Sequence, residues 1–141
     1  KQKVSIRNPY AIRPWQHVLE PLQGYLMLCQ KLYEIGPQFA ESFNFGPDEK
    51  DAKNVEWIAG HLVKTWGDGA AYEIASNASS LHEAHFLKLD CTKARTQLSW
   101  QPKWNINKAL DEICAWHKAH INGEDMYKYS LNDIKLYALE S

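Results

Sequence analysis

The chain has 141 residues, of which 45% are apolar and 12% aromatic, so it can bury a hydrophobic core and form one domain or a large part of one. Its 16 basic and 17 acidic residues are spread along the sequence with a net charge of -1, which argues against a partner nucleic acid or an anionic membrane surface. No apolar run is long enough to span a membrane and no signal peptide is visible, so we expect a cytoplasmic protein.

The first third of the chain predicts a strand, a long helix and a second strand. Val4, Ser5 and Ile6 alternate between apolar and polar, as a short strand does. Apolar residues recur at helical spacing over residues 18–33, and Gly36-Pro37 ends this helix. Residues 42–46 are predicted to be a short strand that runs into a turn. The apolar face expected for the long helix consists of Leu22, Tyr25, Leu26, Cys29, Leu32 and Tyr33.

The middle of the chain predicts a second helix between short strands. Asn54 can cap a helix whose apolar face includes Val55 and Trp66, and Gly67 can end it. Residues 72–74 and 86–89 are predicted to be strands. Asp90 can then cap a short helix that reaches Leu98.

The last third of the chain predicts helices. Asn105 can cap a strongly amphipathic helix, which Asn122-Gly123 ends. The tail from Glu124 is expected to form a docked final helix. Its face would consist of Tyr127, Leu131, Ile134 and Tyr137. The order of elements indicates the α/β class, with short strands alternating with helices.

Three cysteines bear on the redox state and on the core. Their odd number, without the spacing of a zinc site, favours reduced residues buried in the core: Cys29, Cys91 and Cys114. The chain begins at Lys1 without an initiator methionine. We therefore expect it to be a fragment of a longer protein.

The segment Arg13-Pro14-Trp15-Gln16-His17-Val18 lies between an extended apolar stretch and the first long helix. The guanidinium of Arg13 presents five donors in a rigid fork that matches phosphate oxygens, although a structural ion pair is also open. Trp15 can serve as a stacking platform or as a core residue. His17 can bond to the backbone in the first helical turn. A cation, an indole and an imidazole together suit a phosphate-bearing ligand with a planar base or a sugar.

Asn44 is the second candidate for a ligand contact. In an extended segment Phe43 and Phe45 would point to one side and Asn44 to the other. A polar residue beside Gly46-Pro47 is either a turn former that bonds its own backbone or a ligand contact. Both interpretations remain open.

The third candidate is the stretch Leu81-His82-Glu83-Ala84-His85, which follows the loop-forming residues 76–80. Two histidines with an acid between them suggest a metal. However, the metalloprotease helix needs histidines four apart with the glutamate directly after the first, and no third ligand is adjacent. Ligand contact and hydrogen bonding within the loop remain as alternatives, and we expect no metal site.

Several of these stretches resemble the C-terminal half of the CDP-glucose 4,6-dehydratase family, nucleotide-sugar enzymes of the extended short-chain dehydrogenase/reductase group. The resemblance covers nearly the whole chain in order. The Arg-Pro-Trp-Gln-His-Val segment is more specific than the Arg-Asp-Trp or Arg-Asp-Tyr of the wider group. The stretches that carry it are Ile6 to Leu22 with Gly24-Tyr25-Leu26, Phe43-Asn44-Phe45-Gly46-Pro47, Val55-Glu56-Trp57-Ile58, His82-Glu83-Ala84-His85, Leu87-Lys88-Leu89-Asp90 and Leu98-Ser99-Trp100-Gln101-Pro102.

The resemblance implies a lyase of deoxysugar biosynthesis, with a role in lipopolysaccharide O-antigen. Such enzymes bind NAD in an N-terminal Rossmann domain, oxidise the hexose at C4, eliminate water across C5 and C6, and return the hydride to C6. This chain has no glycine-rich cofactor loop and no Tyr-x-x-x-Lys pair. The NAD-binding and catalytic residues would therefore belong to the missing N-terminal half, and the fragment alone would be inactive.

The resemblance also assigns substrate contacts. Arg13 would hold the diphosphate or the neighbouring ribose of CDP-glucose, with Trp15 beside it. Asn44 and the loop with Glu83 and His85 would line the nucleotide side. Relatives in the wider group often use an arginine just before the last short strand, where this chain reads Glu83-Ala84-His85-Phe86. This departure makes His85 the candidate for the second phosphate contact.

Two further expectations concern organisation. Residues 1–53 would pack on the missing NAD-binding Rossmann domain and contact the substrate, and residues 54–141 would form the substrate-binding domain with a helical tail. The full-length protein would be a homo-oligomer. The alternative is a stand-alone, non-catalytic binding or interaction domain derived from such a lid.

Overall fold

The computed structural model describes residues 3–75 and 85–140. About 55% of the described residues are helical, and the strands among them are few and short. This mixture agrees with the predicted α/β class. The elements are, in chain order, β1 (Val4–Ile6), β2 (Ile12–Arg13), α1 (Leu19–Glu34), β3 (Lys53–Asn54), α2 (Val55–Trp66), β4 (Tyr72–Ile74), α3 (Thr92–Leu98), α4 (Ile106–Ile121) and α5 (Met126–Leu139), with single 3-10 turns at Pro37–Phe39 and Glu49–Asp51.

The strands form two small sheets. β1 and β4 pair in parallel, with Val4 opposite Tyr72, so the predicted strands 4–6 and 72–74 are confirmed. β2 and β3, which the sequence did not predict, pair antiparallel, with Ile12 opposite Asn54. The predicted strand 86–89 is wrong in extent, because only Phe86 pairs, in a single parallel bridge to Ile12.

The predicted strand at residues 42–46 is also wrong. The alternation that suggested it is present all the same: Phe45 is buried, Phe43 is half-buried and Asn44 is exposed. The Phe45 carbonyl accepts from the side chain of Gln16 rather than from a neighbouring strand. The segment is therefore extended and amphipathic, and it is held by side chains.

The predicted ends of α2 and α4 are confirmed. The Asn54 carboxamide accepts from the backbone N–H of Trp57 at 2.8 Å, and α2 ends at Gly67 with a φ of 70°. The Asn105 carboxamide caps α4 in the same way, and α4 ends before Asn122. α3 begins one residue later than Asp90 would predict, although the Asp90 carboxylate still accepts from the first helical N–H at 2.9 Å.

Helix α1 has the predicted length but buries the opposite face. Leu26 is 71% exposed and Tyr33 is 93% exposed, so the predicted apolar face points outward from this chain. The helix packs instead through Gly24, where an added Cβ would lie 2.3 Å from the Phe45 ring. Cys29 lies on the outward face and is exposed, which contradicts the expectation that it is a core residue.

Two apolar clusters form the core. The first contains Phe45, Cys91, Ala94, Leu98 and Trp100. The second contains Ile58, Ile106 and Leu110, with Trp15 packed against it. Both clusters combine residues from before and after position 54, so the two parts of the chain pack on each other. Cys91 and Cys114 are buried as expected, and burial raises the pKa of both thiols.

A final helix is present, as predicted, and it docks through a different face. Tyr137 is buried and its ring packs edge-on against Trp104, with 5.1 Å between the centroids. Tyr127, Leu131 and Ile134 are exposed, so most of the predicted face is wrong. No helix in residues 3–75 and 85–140 combines the length and apolar content needed to cross a membrane.

The fully buried carboxylate of Glu20 joins α1, the turn before α4, and α5. Its two oxygens accept from the backbone N–H of Lys103 at 3.0 Å and that of Trp104 at 2.8 Å. The Tyr137 hydroxyl donates to the same carboxylate at 2.7 Å. Burial, followed by this bond to Glu20, raises the pKa of Tyr137, so its hydroxyl stays neutral and remains a donor.

Candidate functional site

The segments that carry Arg13, Asn44 and His85 come together around β2. On one side of β2, the Ile12 N–H donates to the His85 carbonyl at 2.9 Å, and the Leu87 N–H donates to the Ile12 carbonyl at 3.2 Å. Downstream of β2, the Gln16 carboxamide donates to the Phe45 carbonyl at 2.8 Å. Three stretches far apart in sequence therefore meet at one edge of the molecule.

Arg13 lies at the end of β2, opposite Lys53, and is half-buried. One guanidinium nitrogen donates to the carbonyl of Ile12 at 2.9 Å, and the group has further interactions. This local bond uses only one of the five guanidinium donors. The position is therefore compatible with both interpretations, phosphate binding and structural pairing.

Trp15 turns inward from the same segment. Its indole N–H donates to the Lys53 carbonyl at 3.1 Å, and its ring packs against the cluster of Ile58, Ile106 and Leu110. These contacts are those of a core residue, the other interpretation left open by the sequence. Its role as a substrate contact stays a prediction.

Asn44 is exposed, and its amide donates to the Asp90 carbonyl at 3.2 Å. This bond spans 46 residues and is not the local turn bond that the sequence suggested. It links the Asn44 segment to the loop before α3. The residue is exposed, and its ligand contact stays a prediction.

Beside these segments lies a cavity of about 290 Å³, bordered by Pro14, Pro47 and the loop before α3. Its two cations are already paired: Arg95 donates to Asp48 at 2.7 Å, and Lys88 bonds to Glu49. Asp90 adds a third carboxylate, and the bonds from Thr92 lower the pKa of Asp90. Three acids against two bases make this cavity unsuited to a diphosphate on its own.

The remaining candidates lie in or next to the stretch that bonds to Ile12. His85 is exposed. Its backbone carbonyl accepts from the Ile12 N–H, and this bond does not involve the imidazole. Glu83 lies outside the described residues, as does His82. Among the residues that are described, no three His, Cys, Asp or Glu side chains are grouped as a metal site.

Comparison with known proteins gives one strong similarity. The chain is 52% identical to a curated CDP-glucose 4,6-dehydratase of Salmonella typhimurium (strain LT2). The aligned region is 136 residues long and covers 96% of this chain. The chain resembles the C-terminal part of that dehydratase. This confirms the resemblance predicted from the sequence. The chain spans only 38% of the length of the relative. No protein-family model matches the chain.

Gln16 is a residue that the sequence did not single out. Its Nε2 donates to the Phe45 carbonyl, which orients the carboxamide and leaves Oε1 buried with no partner among the described residues. A buried acceptor without a donor is costly, so a water molecule or a ligand that donates to Oε1 would stabilise it. The only signal in the sequence was an amide inside an otherwise apolar and aromatic segment.

His17 is buried and supports the start of α1. Its Nδ1 accepts from the backbone N–H of Leu19 at 3.3 Å, and its ring lies against Trp104, with 4.8 Å between the centroids. This agrees with the expected bond to the backbone. Burial lowers the pKa of His17 below 6.5, while Glu112 acts in the opposite direction.

The lowered pKa of His17 predicts a loss of stability in mild acid. As the pH falls below about 6.5, the unfolded chain takes up a proton that the folded protein accepts only at lower pH. The contribution is therefore full above pH 6.5 and is lost as the pH falls towards the folded pKa. Urea unfolding between pH 5 and 8 should show a flatter profile for His17→Gln. The exposed His117→Gln is the control, and equal slopes in all three proteins would contradict the assignment.

Proposed function

We propose that this chain is the nucleotide-sugar-binding part of a CDP-glucose 4,6-dehydratase. The complete enzyme would convert CDP-D-glucose to CDP-4-keto-6-deoxy-D-glucose by NAD-dependent oxidation, elimination of water and return of the hydride. The observation that carries the proposal is the 52% identity to such a dehydratase over 96% of the chain. A similarity of this extent supports the same class of ligand for this chain.

The convergence around β2 supports the proposed substrate contacts. Arg13 would hold the diphosphate or the adjacent ribose, since a guanidinium matches phosphate oxygens. Asn44 and His85 would line the nucleotide side, and Glu83 would lie in the same loop. Trp15 would support the contact of Arg13 with the substrate, because its indole N–H bonds to the Lys53 carbonyl and so fixes β2 to β3. In this arrangement Arg13 supplies the main electrostatic attraction.

NAD would be bound by another part of the full-length protein. The seven glycines of this chain do not form a Gly-x-x-Gly-x-x-Gly loop, so these residues do not fit the cofactor. We assign to this chain only the binding and orientation of the nucleotide sugar. A cytoplasmic location and a homo-oligomeric full-length protein belong to the same proposal.

Residues 1–53 would pack on that NAD-binding domain. The support is the outward apolar face of α1, formed by Leu22, Tyr25, Leu26 and Tyr33. Leu22, Leu26 and Tyr33 lie about one to three turns from each other on one side of the helix, the pattern of a face that packs against protein. A face of this kind on an isolated soluble domain is unusual, so a further domain is its natural cover.

A turnover assay tests the proposed function. The full-length protein with CDP-glucose and NAD should form the 4-keto-6-deoxy product, whereas the 141-residue chain should form none. The chain has no glycine-rich cofactor loop and no Tyr-x-x-x-Lys pair for hydride transfer, whereas the complete enzyme would contain both. Product from the chain alone would show that reaction chemistry lies within it. Nucleotide-sugar binding without turnover in the full-length protein would favour the non-catalytic binding domain instead.

A further inference from the structure

A cleft lies between the start of α1 and the two last helices, away from the residues assigned to the nucleotide sugar. Its volume is about 230 Å³. The walls are mainly apolar and come from all three helical regions: Val18, Leu19, Ile113, Trp116 and Ile134. A mostly apolar concavity with a few polar groups is the usual form of a small-molecule site.

Asp133 of α5 lines this cleft and is only 8% exposed. No hydrogen-bond donor contacts its carboxylate within residues 3–75 and 85–140. Partial removal of a carboxylate from water favours a positively charged partner beside it. Burial, and then the nearby Glu112, raise the pKa of Asp133, while Lys108 acts in the opposite direction. A cationic ligand in the cleft would therefore be attracted to this carboxylate.

The surrounding groups do not neutralise Asp133. Lys108 bonds at 2.5 Å to Glu112, which lies on the same helix, α4, so this cation is already paired with a carboxylate other than Asp133. His17, on the opposite wall, uses Nδ1 to accept from Leu19 and is held neutral by its lowered pKa. Ser130 accepts from the Trp116 indole at 3.0 Å. His117 at the rim is exposed, and Tyr129 on α5 is a phenol whose raised pKa keeps it uncharged.

We propose that this cleft binds a small organic cation, a protonated amine with a short apolar body, with Asp133 as its counterion. The carboxylate would gain the partner it lacks, and the apolar walls would cover the body of the ligand. The indole of Trp116, fixed by its bond to Ser130, supplies an aromatic surface that attracts a cation. At about 30 Å³ per water-sized group, the volume accommodates about eight non-hydrogen atoms.

Benzylammonium and benzyl alcohol test the proposal, because they have the same size and differ in charge. In calorimetric titrations of the full-length protein, benzylammonium should bind saturably and at least tenfold more tightly than benzyl alcohol. Asp133→Asn should abolish the difference while leaving the protein folded and no less stable to heat. Glu124→Gln, an exposed acid just before α5, is the matched control and should keep the difference.

Two results would overturn the proposal. One is the absence of saturable binding of benzylammonium to the unmodified protein, and the other is equal affinity for the charged and neutral compounds. Both comparisons use the unmodified protein, so they hold even if the Asp133 variant does not fold. Neither depends on turnover of CDP-glucose, and the outcome is therefore separate from that of the proposed dehydratase function.

Discussion

Replacing Glu20 with alanine should lower the free energy of unfolding by about 4 kcal/mol, since each buried group left unsatisfied costs about 1–3 kcal/mol. The change leaves two backbone N–H groups and the Tyr137 hydroxyl without their acceptor inside the core. It also removes the bonds that hold α5 against α1. Urea unfolding of the full-length protein, followed by tryptophan fluorescence, measures the loss.

Two variants show whether the loss arises from these bonds. Glu34→Ala removes an acid from the exposed end of the same helix, where its carboxylate accepts only from Gln30, and should cost less than about 0.5 kcal/mol. Tyr137→Phe keeps the ring against Trp104 and removes only the hydroxyl, so it should cost about 1.5–3 kcal/mol, the range of a hydrogen bond to a charged group. If Glu20→Ala were no more harmful than Glu34→Ala, the buried carboxylate would not hold the three elements together.

The second large effect is expected on the outward face of α1. If this face packs on another domain, Leu26→Glu with Tyr33→Glu should weaken the full-length protein by about 4 kcal/mol. A buried apolar side chain contributes about 1.5–3 kcal/mol, and the new carboxylates would also lose water. In this chain alone both side chains are exposed, so the same changes should leave its own packing unaltered.

The control for this prediction is another exposed aromatic residue. Tyr127 on α5 is 78% exposed and lies outside the α1 face, so Tyr127→Glu should change the stability of the full-length protein by less than about 0.5 kcal/mol. Urea unfolding compares the two variants directly. Equal, small effects would mean that the α1 face is solvent-exposed in the full-length protein as well.

Local signals predicted the helices well. Asn54 and Gly67 mark both ends of α2, and Asn105 marks the start of α4, because caps depend on residues next to each other in the sequence. β2 and β3 were missed because two-residue strands have no periodicity to detect. The alternation at Phe43 and Phe45 suggested a strand, but it reflects packing of one side of an extended segment on the core.

Other errors arose where the partner is distant or lies elsewhere. Cys29, in the apolar stripe of α1, was assigned to the core, although the face that this chain buries contains Glu20 and Gly24. Nothing near Glu20 in the sequence indicates its partners, which lie more than 80 residues away. Likewise, the sequence placed Arg13, Asn44 and His85 on three separate segments. Only the pairing of Ile12 with the chain at Phe86, and the bond from Gln16 to Phe45, show that these segments meet.

The most direct test of nucleotide-sugar binding is a calorimetric titration of the full-length protein with CDP-glucose, before and after Arg13→Ala. We expect CDP-glucose to bind more tightly than the UDP, GDP and dTDP sugars. Arg13→Ala should weaken its binding by about 1.5–3 kcal/mol, the range for a hydrogen bond to a charged group. An unchanged affinity in Arg13→Ala would assign Arg13 a structural role, and equal affinities for all four nucleotide sugars would contradict recognition of the CDP moiety.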